Sequence, residues 1–559
     1  MAKRTPFPIV VMANYLNRFG FIDYINERIS WDPKQWKYSP GILAQLLVLA
    51  PFLTHHKKIA LLSLPTAYSK VDLEIITGYT YDPVTDHKIE SSELNDDLFA
   101  RLLDRIATYG CDKLFHDLAI QTRCTFSLPE NTILHVDTTS HVLYGSYSGS
   151  DETSPLFITH GHSKDKHPEL KQIMTGAVTD GDGIPLFATA LNGNTADCTF
   201  NEATIHLLQA VYGPELQNHI YIADSKLLTK PNVLKLMQGE FPIPFISRIP
   251  ANFYEKLSET MRCKAYEQNE WEDLGTCCLH ASKHSASYCA TTFPTSVYGF
   301  EMYVHVYKTT QKREKIEKKV KQEEEKVNTE LEKLSKREFF CEQDAETDRN
   351  SFLSSHSHLM VEPELKVIQE IILKNARGRP STHPKPPQEV RRWKIVSLRI
   401  VRKEEKIEKE IEKASSFCLL TNVDSRTQSS SETLLLYKGQ GHVESLFSSL
   451  KQPMMAATIF LEKPERIKAL MTHLYFGVLL LGLLRVISHI ELEKEETPPR
   501  WGLERRKIIR PVPQTMIGML AMFTVVSMDE TVIIDANSLE MKKDFVKMLN
   551  IVRFDPNFL

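Results

Sequence analysis

The chain has no CxxC pair, no apolar run as long as a membrane span, only five tryptophans and no surplus of positive charge. Each absence removes a class of explanation. Nine cysteines are scattered over 559 residues. Their one cluster, adjacent Cys277 and Cys278 with Cys263 and Cys289 nearby, has spacing that suits neither a tetrahedral zinc site nor a disulfide framework. The thiols therefore read as reduced. The N-terminal segment MAKRTPFPIVVMANYLNRFGF has an apolar run broken by Asn14, Asn17 and Arg18, which argues against a signal peptide. Tyr475 to Leu484, the longest apolar stretch, is about half a membrane span and runs into Arg485, so it reads as a buried helix. No membrane partner is expected. A net charge of −3, from 68 basic and 71 acidic residues, excludes a global field for nucleic acid and leaves only local basic patches.

What is present is an ordinary globular composition, 42% hydrophobic and 25% charged, in a chain too long for a single core. Residues 1–128 show helical spacing in ILAQLLVLAPFL (42–53) and DDLFARLLDRIATYGCDKLFHDLAIQ (96–121), which predicts a helical N-terminal domain suited to binding DNA ends, mediating dimer contacts or packing. From Asn131 the period changes. ILHVD (133–137) is a short apolar strand ending on a carboxylate. KQIMTGAVTD (171–180) and IPLFATALN (184–192) flank Gly181, Asp182 and Gly183, a hairpin signal stronger than a calcium-loop reading. NEATIHLLQAVYG (201–213) reads as a helix, HIYIAD (219–224) as a second strand ending on a carboxylate, LLTKPNVLKLMQ (227–238) as a helix and IPFISRIP (243–250) as a strand.

Residues 255–415 read as an insertion. They hold β-like pieces, a charged helix (312–340) with a narrow stripe of Ile316, Val320, Val327, Leu331 and Leu334, and a basic tract from Ala376 to Lys403. The stripe suits either a solvated charged helix or a partner-binding arm. SFCLLTNVD (416–424) returns to β character, a helical stretch carries the second part of the core through 416–490, and 491–559 is expected to be helical. The order predicts a mixed α/β core, 129–254 and 416–490, split by that insertion.

Strand-end carboxylates invite a metal reading. Two hard divalent cations about 4 Å apart activate an attacking oxygen and stabilise the leaving oxygen of a phosphodiester. Magnesium takes one or two carboxylates and keeps several waters. Asp137 and Asp224 each follow apolar strand residues, a placement that many α/β proteins also use to cap loops. In SETLLLYKGQGHVESLFSSLKQPM (431–454), Tyr437, Gln440, Glu444 and Lys451 stand three, four and seven residues apart, within about one helical face. Gly439 and Gly441 make a helix start near His442 the better reading, with Tyr437 on its approach, and Leu446, Phe447 and Leu450 would face the core. A carboxylate beside a lysine on one face suits a metal ligand next to a phosphate contact, and equally an ordinary surface charge pair.

That spacing resembles the Tyr-Arg-Glu-Lys signature of DDE transposases of the insertion-sequence-four superfamily, with Gln440 at the arginine position. GHSKDKHPELKQIMTG (161–176), YIADSKLLTKPNV (221–233) and FISRIP (245–250) resemble motifs of its insertion-sequence-1634-like branch. The resemblance spans about 130–480, and the helical N-terminus also looks like the domain preceding the core there. It implies an RNase H-like fold, Asp137, Asp224 and Glu444 as ligands for two Mg2+ (or Mn2+) ions, and DNA contacts by Tyr437, Gln440, Lys451, Lys164 and Lys171. It further implies cleavage and strand transfer at the element's terminal inverted repeats, a homodimer on DNA, and a cytoplasmic, nucleoid-associated location. Gln440, Ser448 and His167 replace arginines of the pattern, and each change weakens phosphate contact without touching the ligands.

Arg377 and Arg379 form an RGRP tract like that of minor-groove hooks. Together with Arg391 and Arg392 they are candidate DNA contacts, because Ala376 to Lys403 carries nine basic residues against one acid. Asp197 competes with Asp224 as a ligand, but helix N-capping ahead of Phe200 is its expected role. His135 and His141, flanking Asp137, are unusual ligands for magnesium. Two other functions fit the same residues: an inactivated transposase that binds ends and represses, and a nuclease of the same core without strand transfer.

Overall fold

The computed structural model describes every residue except 1, 55–58, 240, 278–285, 310–312, 375–387, 453–454, 456–458, 460, 498, 502–505, 508, 529–530 and 537–538. The change of period near residue 130 opens a nine-stranded mixed sheet. Its strands in chain order are β1 (Ile133–Leu143), β2 (Lys171–Asp180), β3 (Pro185–Leu191), β4 (Ile220–Ala223), β5 (Phe245–Arg248), β6 (Glu272–Thr276), β7 (Ser287–Val297), β8 (Phe300–Thr309) and β9 (Ser416–Thr421). Side by side they run β3-β2-β1-β4-β5-β9-β8-β7-β6. Neighbours β1–β4 and β4–β5 are parallel, and every other pair is antiparallel. The expected hairpin joins β2 to β3, and its Asp180 carboxylate accepts the Asp182 and Ile184 amides at 2.9 Å each. Its other oxygen meets the Arg123 guanidinium, so the carboxylate is spent on the turn and on that ion pair.

Parallel neighbours require crossovers. Helix α1 (Asp197–Tyr212) leads from β3 to β4, and α2 (Lys230–Met237) leads from β4 to β5. Leu134, Val136, Tyr221, Ala223 and Phe245 join Phe200, Ile205, Val233 and Leu236 of these helices in one core. Side chains alternate between sheet faces, so His135, Asp137, Ile222 and Ile246 belong to the opposite face. Ile222 and Ile246 there pack with Leu434 and Leu419.

One strand differs from expectation. β1 does not end on Asp137 but continues six residues to Leu143, held by β2 on its far side. It is β4 that stops, one residue before Asp224.

The β-like pieces expected to open the insertion extend this sheet instead, as β6, β7 and β8. The chain then leaves through α3 (Arg313–Ser335), a helix Glu342–Ser355, an antiparallel pair of strands Val361–Lys374 and Gln388–Arg402, and a helix Glu404–Ser415. It returns with Ser416 paired to Lys308. The apolar stripe of α3 is buried against Val361, Ile395, Ile407 and Ile411, a small separate core.

Helices Phe7–Arg18, Pro40–Leu49, Asp96–Tyr109 and Cys111–Thr125 supply the expected helical N-terminal region. They share one core with helix Pro464–Glu493, which contains the Tyr475–Leu484 run. By length and composition this helix is the one membrane-span candidate among the described residues, yet 89% of its most apolar window is buried within the protein. The last segment is not wholly helical. Strands Phe523–Met528 and Thr531–Ala536 lie between helices Pro513–Leu520 and Leu539–Ile551, and the first of them pairs with Lys3–Pro6. Val525, Val526, Val532, Ile533 and Ile534 are β-branched and favour that pairing.

Candidate active site

The carboxylates are placed by strand register. β1 and β4 pair Val136 with Ala223, and the backbone stays extended at Asp224, so Asp137 and Asp224 occupy the next rung side by side. Their Cα atoms are therefore about 5 Å apart, the spacing between strands. β4 ends there while β1 runs on, and both aspartates are half-buried at the sheet's break in pairing. The Ser247 hydroxyl donates to the Asp224 carbonyl at 2.7 Å, and Asp224 Oδ1 accepts the Lys226 amide at 2.9 Å. Asp137 Oδ1 accepts the Thr138 amide at 2.7 Å.

Over this face lie α4 (Ser430–Lys438) and α5 (Gly441–Leu450), after which the long helix already described becomes α6 (Pro464–Glu493). α4 begins with a reciprocal capping box of Ser429 and Glu432. The helix carrying Glu444 starts at the second glycine, Gly441, one residue before the expected His442, while Tyr437 lies in the last turn of the preceding helix. Gly439 and Gln440 lie between them, and Gln440 is buried. Leu446, Phe447 and Leu450 face the core, as expected, together with Val443, and leave Glu444 exposed on the first turn.

Burial pushes the Asp137 carboxyl up from its ordinary 3.8 to about 6, with Lys164 opposing and Asp224 and Asp197 adding to the rise. Burial also raises Asp224, with Asp197 contributing. The Tyr437 phenol is pushed up to about 12, chiefly by burial; Arg248 opposes, and Asp224, Glu444 and Asp137 add to the rise. Burial lowers His135 and His141 to about 3, so both are neutral at physiological pH.

Asp197 is not the helix cap it was expected to be. Ala196 holds that position without a side-chain bond, and Asp197 is the first helical residue. Its carboxylate instead accepts the Thr138 hydroxyl and lies 3.3 Å from Lys164 Nζ, which is also 3.7 Å from Asp137 Oδ1. One ammonium therefore bridges two carboxylates. Lys451 Nζ meets Asp165 Oδ1 at 2.6 Å, and Asp165 also accepts the Ser140 hydroxyl. The loop 161–170 thus supplies a cation to the carboxylates and an anion to Lys451.

Other candidates are not brought here. Lys171 pairs with Leu143, six residues and about 20 Å along β1 from Asp137, and donates to the Ser146 carbonyl at 2.6 Å. Arg391 and Arg392 lie on the strand Gln388–Arg402, outside the large sheet. Arg392 is 4.0 Å from Glu338 and 4.1 Å from the Phe340 ring. Much of the local positive charge is met by acids of facing elements: Lys394 by Glu370, Arg399 by Glu364, Arg402 by Glu324 and Lys403 by Glu362. Arg377 and Arg379 lie outside the described residues.

An all-carboxylate donor set with two aspartates on one rung fits a hard divalent cation that keeps most of its waters. The Lys164 ammonium, in contact with Asp137, stands where positive charge is wanted. Among the described residues no three Asp, Glu, His or Cys side chains are grouped closely enough to hold one ion. Glu444 shares the face but is not drawn in against the aspartates.

A family model described as a transposase DDE domain matches residues 129–481. No curated protein matches the chain significantly. Among solved structures, the cryo-EM structure of a piggyBac transposase synaptic complex with hairpin DNA is similar over 93% of this chain and 82% of that one, at 10% identity and a TM-score of 0.40.

Proposed function

The chain belongs to the transposase DDE domain family, and from that premise we propose that it cuts and joins DNA at the rung shared by Asp137 and Asp224, with Glu444 as the third carboxylate. We assign the core to the RNase H-like class and the chain to the insertion-sequence-four superfamily, on the motifs around Tyr437, Glu444 and Lys451. The substrates are the element's own inverted repeats and a target duplex, and two copies of the chain would hold two ends.

The observation that carries this reading is the parallel register that sets two aspartates together beneath the helix of Glu444. Two Mg2+ or Mn2+ ions, when bound, would supply an activated oxygen nucleophile and charge for the leaving oxygen. The protein's part is to hold Asp137 and Asp224 on adjacent strands and to present Glu444 from α5. Lys164 and Lys451 would exchange Asp137 and Asp165 for DNA phosphates. In the first step a water oxygen bonds to phosphorus and the 3′-oxygen departs as a hydroxyl; in the second that hydroxyl attacks a target phosphodiester and displaces the target's own 3′-hydroxyl.

Full-length protein incubated with duplexes from the flanks of its gene and Mg2+ or Mn2+ tests this. Cut ends bearing 3′-hydroxyls, joined to target and reduced to background by D137N, D224N or E444Q, are expected. Ends bound but left uncut in the presence of metal would point to a repressor. Cutting without joined product, even when 3′-hydroxyl ends are supplied, would point to a nuclease.

A further inference from the structure

The same rung continues onto a third strand. β4 and β5 pair Ala223 with Ser247, so Arg248 stands beside Asp224 as Asp224 stands beside Asp137. Alternation places all three on the face covered by α4 and α5, and Arg248 is exposed at the end of β5. Its neighbour across the rung on β9 is Leu419, and its guanidinium lies 5.6 Å from the centroid of the Phe417 ring.

Arg248 differs from the two lysines of this site that the resemblance places on DNA, and from Lys226, which it exceeds in offering a planar fork. Lys164 is held by Asp137 and Asp197, and Lys451 by Asp165. Among the described residues no carboxylate lies within ion-pairing distance of Arg248. Gln440, on the approach to Glu444, is neutral and buried. The strand positions of Asp137 and Asp224 thus border one guanidinium that is exposed, backed by an aromatic ring and unspent on any acid. Its field reaches Tyr437, whose phenol it opposes the surroundings in raising.

We propose that Arg248 is a DNA-contacting residue of this site, donating its guanidinium fork to the non-bridging oxygens of a phosphodiester held beside Asp224. The inference rests on the reading of this site as one that acts on DNA. A planar fork matches two phosphate oxygens, which a lysine ammonium cannot do. Strand placement fixes the Arg248 backbone relative to Asp224, so the contact sets where the phosphate lies along the rung.

The test is fluorescence anisotropy of the full-length protein on a 30-base-pair duplex across a salt series, with cleavage measured in parallel. R248A is expected to weaken binding by about 5-fold at moderate salt and to reduce the log–log salt slope by about one. R248K is expected to keep the slope while losing about 2-fold in affinity, because charge remains and the fork is lost. Thermal melting should be unchanged in both variants. A wild-type slope in R248A overturns the proposal. Equal losses in both variants together with a lowered melting temperature also overturn it, by assigning Arg248 a structural role. The DDE reading fails separately, if D137N cuts DNA as well as wild type does, and that outcome leaves the salt slope of R248A untouched.

Discussion

Burial holds Asp137 near 6 although an unfolded aspartate titrates near 3.8. The folded chain therefore takes up a proton between about pH 4 and 6, and stability falls as pH rises through that window, reaching a constant penalty above it. Two units correspond to about 3 kcal/mol at most. D137N removes the charge and keeps the oxygen that accepts the Thr138 amide. It should melt at the wild-type temperature near pH 4 and several degrees higher at pH 8, and Mg2+ should raise only the wild type. Equal melting at pH 8 would show that the Asp137 carboxylate carries no net burial penalty. Binding of Mg2+ to the wild type should weaken below about pH 6, because protons then compete for the same oxygens. D165N bears on the other half of the loop: it deprives Lys451 of its partner and should tighten DNA binding about 2-fold, a partly exposed ion pair being worth less than about 1 kcal/mol. At this scale Asp137 and Asp224 were legible because an apolar run preceding an aspartate is a local pattern. Asp197 was weighed as a ligand and set aside as a helix cap, and Arg248 was not singled out, since what places them is a crossover helix and a register between strands far apart in the chain.

Between residues and whole molecule, the junction of α4 and α5 decides how Tyr437 and Glu444 face the rung. The two glycines marked the break correctly, yet only the fold explains Gly439. A Cβ there would lie 2.7 Å from His135 Nε2 and 3.0 Å from the Leu436 carbonyl. His135 is buried on β1, two residues before Asp137, and cannot yield freely. G439A should cost about 1–3 kcal/mol in urea unfolding and lower DNA cleavage more than DNA binding, because it displaces α5 from β1 rather than removing any cation. Loss of binding in proportion to cleavage would mean that the junction itself touches DNA. The apolar stripe of α3 illustrates the opposite limit of local reading. Its periodicity was plain, but whether it faced water or a partner depended on strands 361–374 and 388–402, which supply the covering surface.

For the molecule as a whole, connectivity and packing disagree in an informative way. The segment between β8 and β9 returns to the sheet where Ser416 is paired with Lys308 as in a plain hairpin, and its described elements begin at Arg313. They carry their own small core around Val320, Val327 and Ile395. Replacing 309–415 with a short Gly/Ser turn should therefore leave the melting temperature within a few degrees, since the paired Lys308 and Ser416 already lie about 5 Å apart. The C-terminal segment is distant in sequence but integral. Strand 523–528 pairs with Lys3–Pro6, the Tyr15 hydroxyl donates to the Val552 carbonyl at 2.6 Å, and Met548 and Phe554 enter the core shared by α6 and the N-terminal helices. Deleting 513–559 strips that core and leaves the Lys3–Pro6 strand unpaired. It should yield aggregated protein although α4, α5 and the nine strands are all retained. A soluble deletion variant that still binds DNA would show that the sheet and its carboxylates fold without the α6 core. Segment boundaries read from composition missed this coupling because hydrophobic periodicity reports which face of a helix is buried, not which distant segment buries it.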